Sequence, residues 1–283
     1  AIVGESGSGK SSLVRALLGL IPMQRGKVVY AGELLEGPVL SRAASKRRDL
    51  QLVFQDPASA LNPSMRVAAI VGEPLLANSP ALSVKSRSDR VIAMLNKVSL
   101  DENILRRFPH QLSGGQAQRV AIARALILEP KILICDEAVA ALDGTVRRQV
   151  LQLLRDIQRE TGLSIIFISH DLGVVRAITH RVAVMYLGRL VEVAATASLF
   201  SSPSHPYTRA LLDASPVPDP RVTPIAAPLK GETPSPLAPP PGCVFHPRCS
   251  YVESECSRRS PELRTISNTR VACHRAGNIM LAR

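Results

Sequence analysis

The chain has 283 residues, of which 46% are hydrophobic, 20% charged and 3% aromatic, and its net charge is +12. This composition is typical of a globular protein with one large domain and an appendage, or with two modest domains. No apolar run is long enough to span a bilayer, and the aromatic residues are too few to form a base-stacking platform for nucleic acid. Because the first residue is not Met and the chain opens inside a predicted strand, we expect an N-terminal portion to be missing.

The first motif is a glycine-rich loop between a predicted strand at residues 1–3 and a predicted helix at 12–18. Residues 4–11 fit G-x-x-x-x-G-K-[ST] in the strand–loop–helix context that this phosphate-binding loop requires. Backbone N–H groups would surround phosphate, Lys10 would reach the β- and γ-phosphates, and the Ser11 hydroxyl would complete a Mg²⁺ shell. An ordinary glycine–serine turn is the alternative. The pattern predicts nucleoside triphosphate binding by Gly4, Glu5, Ser6, Gly7, Ser8, Gly9, Lys10, Ser11 and Ser12.

Predicted strands and helices then alternate along the chain. A short antiparallel pair at 27–30 and 33–35 precedes a strand at 50–54, and residues 58–110 are helical and loop-rich with proline breakers. The remaining predicted elements are a helix at 116–128, a strand at 132–135, an amphipathic helix at 146–157, an apolar strand at 163–168, and a strand pair at 182–186 and 189–193. Near-continuous apolar strands alternating with helices predict an α/β fold with a doubly wound, mainly parallel sheet.

The composition changes near residue 200. Twelve of the 22 prolines fall in residues 201–242, which predicts an extended linker or arm laid over the surface. Residues 243–283 hold four of the five cysteines. We therefore predict a nucleotide-binding domain at 1–200, a proline-rich arm at 201–242 and a cysteine-containing extension at 243–283.

Several short motifs follow the phosphate loop in a fixed order within residues 1 to about 200. They are Gln55 after its strand, Leu112-Ser113-Gly114-Gly115-Gln116 before a helix, Asp136-Glu137 ending a strand, Ala141-Leu142-Asp143, and His170 ending the next strand. Taken together, the set resembles the nucleotide-binding subunits of ABC transporters. The resemblance implies a P-loop NTPase (RecA-like) core with an ABC helical subdomain at about 57–127, and ATP as the nucleotide.

The resemblance also implies roles for these residues. Asp136 would hold Mg²⁺ together with Ser11 and Gln55, and Glu137 would polarise the attacking water. His170 would bond the γ-phosphate and orient that water, so Glu137, His170 and Gln55 are the predicted catalytic residues. In isolation, an acidic pair at a strand end would be a solvated surface feature, and a lone His or Gln would be structural.

The signature segment, Ser113, Gly114, Gly115 and Gln116, lies at the start of a predicted helix and presents N–H groups to an anion. In the family this segment, with the loop that contains Asp143, meets the ATP bound by the opposite subunit of a dimer. A simple helix N-cap is the plain alternative, and the two roles are compatible. The chain departs from the family pattern at residues 138–140 and at Ala117, and neither departure removes a catalytic group.

Further motifs resemble the di- and oligopeptide (peptide/nickel) importer ATPases. These are residues 54–57, Leu61-Asn62-Pro63, His205-Pro206-Tyr207-Thr208, Phe245-His246-Pro247-Arg248-Cys249 and Val271-Ala272-Cys273-His274. The resemblance implies ATP-driven peptide uptake at the cytoplasmic face of the bacterial inner membrane. The implied partners are a paralogous second ATPase subunit in a head-to-tail dimer, two transmembrane permease subunits and, indirectly, a substrate-binding protein.

Four cysteines form the pattern C-x5-C-x6-C-x16-C: Cys243, Cys249, Cys256 and Cys273. Disulfides are not expected in an ATP-using cytosolic protein, whereas four thiolates can hold an iron–sulfur cluster or zinc. Some importer ATPases that this tail resembles carry a [4Fe-4S] cluster, which we favour here. Zinc, with His246 and His274 as further ligands, is the alternative, and four unligated cysteines are another. Cys135 is predicted to be a buried core thiol.

The positive charge keeps a second functional class open, namely a soluble ABC ATPase that acts on nucleic acid or ribosomes. Such relatives interrupt the core with long insertions or carry two cassettes. This chain has one cassette with a short segment between Gln55 and the signature, so we expect a transport ATPase with no nucleic-acid partner.

Overall fold

The computed structural model describes residues 1–214 and 231–279. Its strands are Ile2–Val3 (β1), Val29–Tyr30 (β2), Glu33–Leu34 (β3), Leu50–Val53 (β4), Ile132–Asp136 (β5), Ser164–Ile168 (β6), Arg181–Tyr186 (β7), Arg189–Ala195 (β8), Arg264–Ile266 (β9) and Thr269–Val271 (β10). Its α-helices are Lys10–Leu18 (α1), Ala44–Asp49 (α2), Pro57–Ala60 (α3), Val67–Asn78 (α4), Val84–Lys97 (α5), Gly114–Leu126 (α6), Gly144–Thr161 (α7), Leu172–Ile178 (α8), Thr196–Ser201 (α9) and Pro206–Asp213 (α10). Short 3₁₀ helices are Val39–Ser41, Glu102–Arg106, Pro109–Gln111, His246–Arg248 and Ser254–Ser257.

The chain forms two compact units. Residues 1–13 with those from 169 onward form the first unit, and residues 14–168 form the second unit. The predicted alternation of strands and helices is confirmed, and most predicted elements agree with the structure to within a few residues.

The second unit contains three neighbouring parallel strands, in the order β4, β5, β6. Cys135 in the central strand lies opposite Val53 on one side and Phe167 on the other, and all three side chains are buried. The burial of Cys135 confirms the prediction of a core thiol, and it raises the pKa of this thiol to about 12.

Two helices of the second unit position predicted site residues. Helix α6 begins after Ser113, and most of its residues are buried. Helix α7 begins after Asp143, buries the predicted apolar stripe that includes Val150 and Leu154, and ends at Gly162 with a left-handed φ of 68°. Glycine adopts that conformation at little cost, so it ends the helix cleanly.

The first unit is built on β1, which pairs in parallel with β7, and on the antiparallel series β7, β8, β10, β9. Strands β9 and β10 come from the C-terminal extension and were not predicted. The core of this unit includes Tyr186, Tyr207 and Phe245, all at most 2% exposed.

The prediction of an extended arm from residue 201 is wrong for its first part. Residues Pro206–Asp213 form α10, and Tyr207 and Thr208 in it are buried. Pro206 is the first residue of this helix, a position that tolerates proline because its N–H would have no helical partner. Residues 215–230 of the predicted arm lie outside the described residues.

Within residues 1–214 and 231–279, no helix is both long and apolar enough to cross a membrane.

Candidate nucleotide-binding site

The phosphate loop follows β1 directly and depends on glycines. Gly4 has a φ of 154°, and a Cβ there would overlap the carbonyl oxygen of Met185. Gly7 and Gly9 have φ values of 77° and 95°, in the region that disfavours other residues. The path of the loop therefore requires glycine at position 4 and favours glycine at positions 7 and 9.

Hydrogen bonds within the loop hold the Lys10 side chain. Its Nζ donates to the backbone oxygens of Gly4 and Glu5, each at 2.9 Å, and to Ser8 Oγ at 3.3 Å. Ser8 and Lys10 are buried, whereas Ser6 and Ser12 are exposed. The structure therefore places Gly4, Glu5 and Ser8 around the Lys10 ammonium group.

His170 also belongs to the first unit, where it is exposed between Ser169 and Asp171. The Asp171 N–H donates to Ser169 Oγ at 3.0 Å, and Asp171 Oδ1 accepts from the Val174 N–H at 3.1 Å as the cap of α8. These two bonds fix the backbone on both sides of His170.

In the second unit, the structure brings Gln55 and Glu137 together. Gln55 Nε2 donates to Glu137 Oε2 at 2.8 Å, although 82 residues separate them. Asp136 is buried at the end of β5. Glu137 has a φ of 47°, unusual for a residue other than glycine, and its N–H donates to the Ile168 oxygen at 3.1 Å. Backbone strain of this kind often marks functional positions.

The signature segment is confirmed as a helix N-terminus. Ser113 Oγ accepts from the Gln116 N–H at 3.3 Å, and Gln116 Oε1 accepts from the Ser113 N–H at 3.0 Å, forming a capping box. A Cβ on Gly115 would overlap Cγ1 of Val146, whereas a Cβ on Gly114 would lie 4.0 Å from Leu142. Gly115 is thus required by packing, and Gly114 is not.

Asp143 caps the helix that packs against this segment. Its Oδ1 accepts from the N–H groups of Thr145 and Val146, each at 3.0 Å. The carboxylate therefore has a structural partner in addition to any role toward nucleotide.

The four cysteines of the tail influence one another electrostatically. Burial, together with a smaller effect of the thiols of Cys273, Cys243 and Cys256, raises the pKa of Cys249 to about 11. Burial likewise raises the pKa of Cys243 and of Cys273. In the described part of the chain, however, no group of three or more His, Cys, Asp or Glu side chains is arranged to hold a metal ion.

The two histidines considered as zinc ligands are engaged elsewhere. His246 Nδ1 lies 2.9 Å from the backbone oxygen of Cys243, and His274 Nε2 lies 2.8 Å from that of Arg259. Both distances are those of hydrogen bonds, so each ring has a nitrogen committed to the backbone.

Comparison with known proteins agrees with this geometry. Residues 1–140 match the family described as ABC transporter, and residues 191–256 match the family described as oligopeptide/dipeptide transporter, C-terminal region. Oligopeptide transport ATP-binding protein OppF of Salmonella typhimurium is 49% identical over 96% of this chain and 82% of its own length. The chain belongs to the ABC transporter ATP-binding proteins. Di/tripeptide transport ATP-binding protein DppF of Pseudomonas aeruginosa is 45% identical over 98% of this ABC protein and 85% of its own length.

Solved structures show the same ABC fold. CbiO1 of Clostridium perfringens, described as part of the transporter complex cbiONQ, is 30% identical with a TM-score of 0.63, over 71% of this chain and 78% of its own. The dimeric cassette MJ0796 is 32% identical with a TM-score of 0.61, over 69% of this chain and 84% of its own. The predicted P-loop NTPase fold of the ABC type is therefore confirmed, and the chain is an ABC ATPase.

Sequence reasoning missed two residues of this ABC ATPase that contact the phosphate loop. Tyr207 Oη accepts from the Glu5 N–H at 2.9 Å, and Arg248 Nη1 donates to Glu5 Oε2 at 2.8 Å. Both residues stand in motifs that we had used only as marks of the peptide importer group. An unexplained polar residue in each motif was the available signal.

Proposed function

We propose that this ABC ATPase is the ATP-hydrolysing motor subunit of an importer of di- and oligopeptides. A single observation carries this proposal: one chain combines the ABC transporter match at residues 1–140 with the oligopeptide/dipeptide transporter C-terminal match at 191–256. The named transport functions of OppF and DppF, which resemble the chain over nearly its whole length, support it.

ATP hydrolysis in this class requires positioning and charge stabilisation rather than a covalent intermediate. Lys10 and the loop N–H groups bind the phosphates. Glu137 accepts a proton from, or polarises, the attacking water, and Gln55 holds the Glu137 carboxylate through the 2.8 Å hydrogen bond. His170 orients the same water.

Mg²⁺ is part of this proposal. The residues that would hold it are Ser11, Gln55 and Asp136, whose oxygen atoms are of the kind that Mg²⁺ prefers. When bound, the ion neutralises negative charge on the phosphate oxygens.

We further propose that the protein works as a head-to-tail dimer with a paralogous ATPase subunit. The signature segment would then face the nucleotide held by the partner, through Ser113, Gly114, Gly115 and Gln116, together with Asp143. The dimer would associate with two permease subunits at the cytoplasmic face of the inner membrane, and a substrate-binding protein would deliver the peptide.

Uptake of a radiolabelled tripeptide tests the function in cells that produce the whole transporter. We expect Lys10→Ala to abolish uptake, because the buried ammonium group binds phosphate. Lys85→Ala, which changes an exposed lysine of α5, is the matched control and should leave uptake unchanged. Normal tripeptide uptake with Lys10→Ala, at normal protein level, would refute the proposal.

For the tail we propose a [4Fe-4S] cluster, with zinc as the alternative. Four thiols that influence one another support the donor chemistry, whereas the described residues do not form a ligand shell. No step of ATP hydrolysis depends on this group. Anaerobic purification followed by iron, sulfide and zinc analysis tests it. About four iron and four sulfide per chain, lost in Cys243→Ser, are expected. One zinc without iron would select the alternative, and neither metal would refute the site.

The alternative, an ABC ATPase that acts on nucleic acid or ribosomes, is not favoured, because the relatives named above are transport ATP-binding proteins.

A further inference from the structure

Two residues from the C-terminal part of the chain, which we call the tail and which runs from α10 onward, contact one residue of the phosphate loop. That residue is Glu5, and its partners Tyr207 and Arg248 are 202 and 243 positions away in the chain. All three belong to the first unit. Glu5, the first variable position of the phosphate-loop pattern, is therefore hydrogen-bonded to two residues more than 200 positions later in the chain.

Arg248 binds the Glu5 carboxylate with both terminal nitrogens. Nη1 donates to Oε2 at 2.8 Å and Nη2 donates to Oε1 at 3.1 Å. The Arg248 side chain is 6% exposed and that of Glu5 is 28% exposed, so water screens this pair far less than it screens a surface pair. A two-pronged arginine–carboxylate contact fixes orientation as well as distance.

Packing and further hydrogen bonds hold Arg248 in place. Its guanidinium lies 6.0 Å from the centre of the Tyr186 ring, and Nη1 also donates to Thr233 Oγ1 at 3.2 Å. Phe245, three residues earlier, is 2% exposed and meets the Tyr186 ring edge-on at 5.3 Å. The position of Arg248 is thus set by the hydrophobic core.

Tyr207 holds the backbone of the same residue. Its hydroxyl accepts from the Glu5 N–H at 2.9 Å, and its ring packs on Tyr186 at 4.6 Å and on Phe245 at 5.3 Å. Tyr207 is fully buried, so packing fixes the position of this hydroxyl.

The contact continues to the phosphate-binding lysine. The backbone oxygen of Glu5 accepts from Lys10 Nζ at 2.9 Å. Glu5 therefore has its N–H bound to Tyr207, its carboxylate bound to Arg248 and its oxygen bound to Lys10. A shift of Glu5 changes the surroundings of Lys10 directly.

We propose that Arg248 and Tyr207 are positioning residues of the nucleotide site, which hold Glu5 and through it the phosphate loop in its binding conformation. Docking of the tail then sets the affinity of the loop for ATP. This inference rests on the proposed nucleotide site at the loop, and it does not depend on any metal in the tail.

Isothermal titration of the full chain with MgATP tests this inference. A charged hydrogen bond of this kind accounts for roughly tenfold in an equilibrium constant, so we expect Arg248→Gln to weaken MgATP binding about tenfold. Glu5→Gln should have a similar effect, and the double variant should be no weaker than either single variant, because both remove the same contact. Arg248→Lys keeps the positive charge but cannot contact both carboxylate oxygens in the same way, so its MgATP affinity should lie between those of Arg248→Gln and wild type.

Matched variants separate positioning from general damage. Arg275→Gln breaks an ion pair of the tail, 2.9 Å to Glu253, that does not touch the loop, and should leave MgATP binding unchanged. Tyr207→Phe keeps the buried ring, removes the acceptor and should weaken binding severalfold. Melting temperature is measured for each variant, so that the test uses only folded protein.

Three results would overturn the inference. One is a folded Arg248→Gln or Arg248→Lys chain that binds MgATP as wild type does. Another is a double variant in which the two losses multiply, since the residues would then act independently. If the wild-type chain bound no MgATP, the proposed function would fail first and this inference with it.

Discussion

Alanine in place of Gly115 is expected to destabilise the second unit. The added Cβ would overlap Cγ1 of Val146 and lie 3.6 Å from its Cβ and Cγ2. Valine has one strongly preferred side-chain rotamer in a helix, so Val146 in α7 cannot turn away cheaply. Overpacking of this kind costs about 1–3 kcal/mol, and replacing glycine by alanine in a helix returns about 0.5–1 kcal/mol. From the middle of each range, we expect a net loss of about 1 kcal/mol in the free energy of unfolding.

Urea denaturation followed by circular dichroism measures this loss, and two variants make the cause specific. Gly114→Ala changes the neighbouring glycine, where a Cβ would meet nothing closer than Leu142 at 4.0 Å, and should not destabilise the protein. In a Val146→Ala background the overlapping methyl is gone, so Gly115→Ala should there become neutral or stabilising. Equal losses at Gly114 and Gly115, or no relief from Val146→Ala, would show that the packing explanation is wrong.

Three further predictions address catalysis, pH and the tail. Glu137→Gln should lower the ATPase rate of the assembled transporter at least about a hundredfold while MgATP binding persists, and a normal rate would remove Glu137 as the base. Burial lowers the pKa of His205 from 6.5 to about 3, so the folded state resists a proton that the unfolded state accepts; stability should fall by about 1.4 kcal/mol per pH unit from about pH 6.5 towards 3. His205→Asn, which can still accept the Tyr207 N–H, should lose that part of the pH dependence, and parallel stability curves for the two proteins would contradict this. A Cβ on Gly242, whose φ is 70°, would overlap the Cys256 carbonyl oxygen, so Gly242→Ala should expose the tail to limited proteolysis, whereas Gly231→Ala, with open space around it, should change proteolysis much less.

Most of the second unit could be predicted from the sequence because its signals are local. The apolar run at 163–168 and the stripe at 146–157 reveal strand and helix without any knowledge of neighbours. Ser113 followed by Gln116 likewise contains its own capping box. The motif residues lie at the ends of these strands and helices, so their positions follow once the elements are predicted.

The first unit was harder to predict because its signals are long-range. Strands β9 and β10 are three residues each, and their sequence pattern is too short to predict a strand. They form because β10 pairs with β8 and β9 pairs with β10. The surrounding prolines made the segment of α10 look like a linker. Its burial depends on packing against Tyr186 and Phe245, which are distant in the sequence. The contact between Glu5 and Arg248 joins residues 243 positions apart and produces no periodic pattern in the sequence from which it could be predicted.

That contact also has a consequence for synthesis. Arg248 follows Glu5 by 243 positions, so the phosphate loop lacks this partner while the residues between them are translated. At about 5–20 residues per second the delay is roughly 10–50 s. During that time the growing chain would hold ATP weakly, and it would acquire tight binding only when the segment around Arg248 folds against the loop.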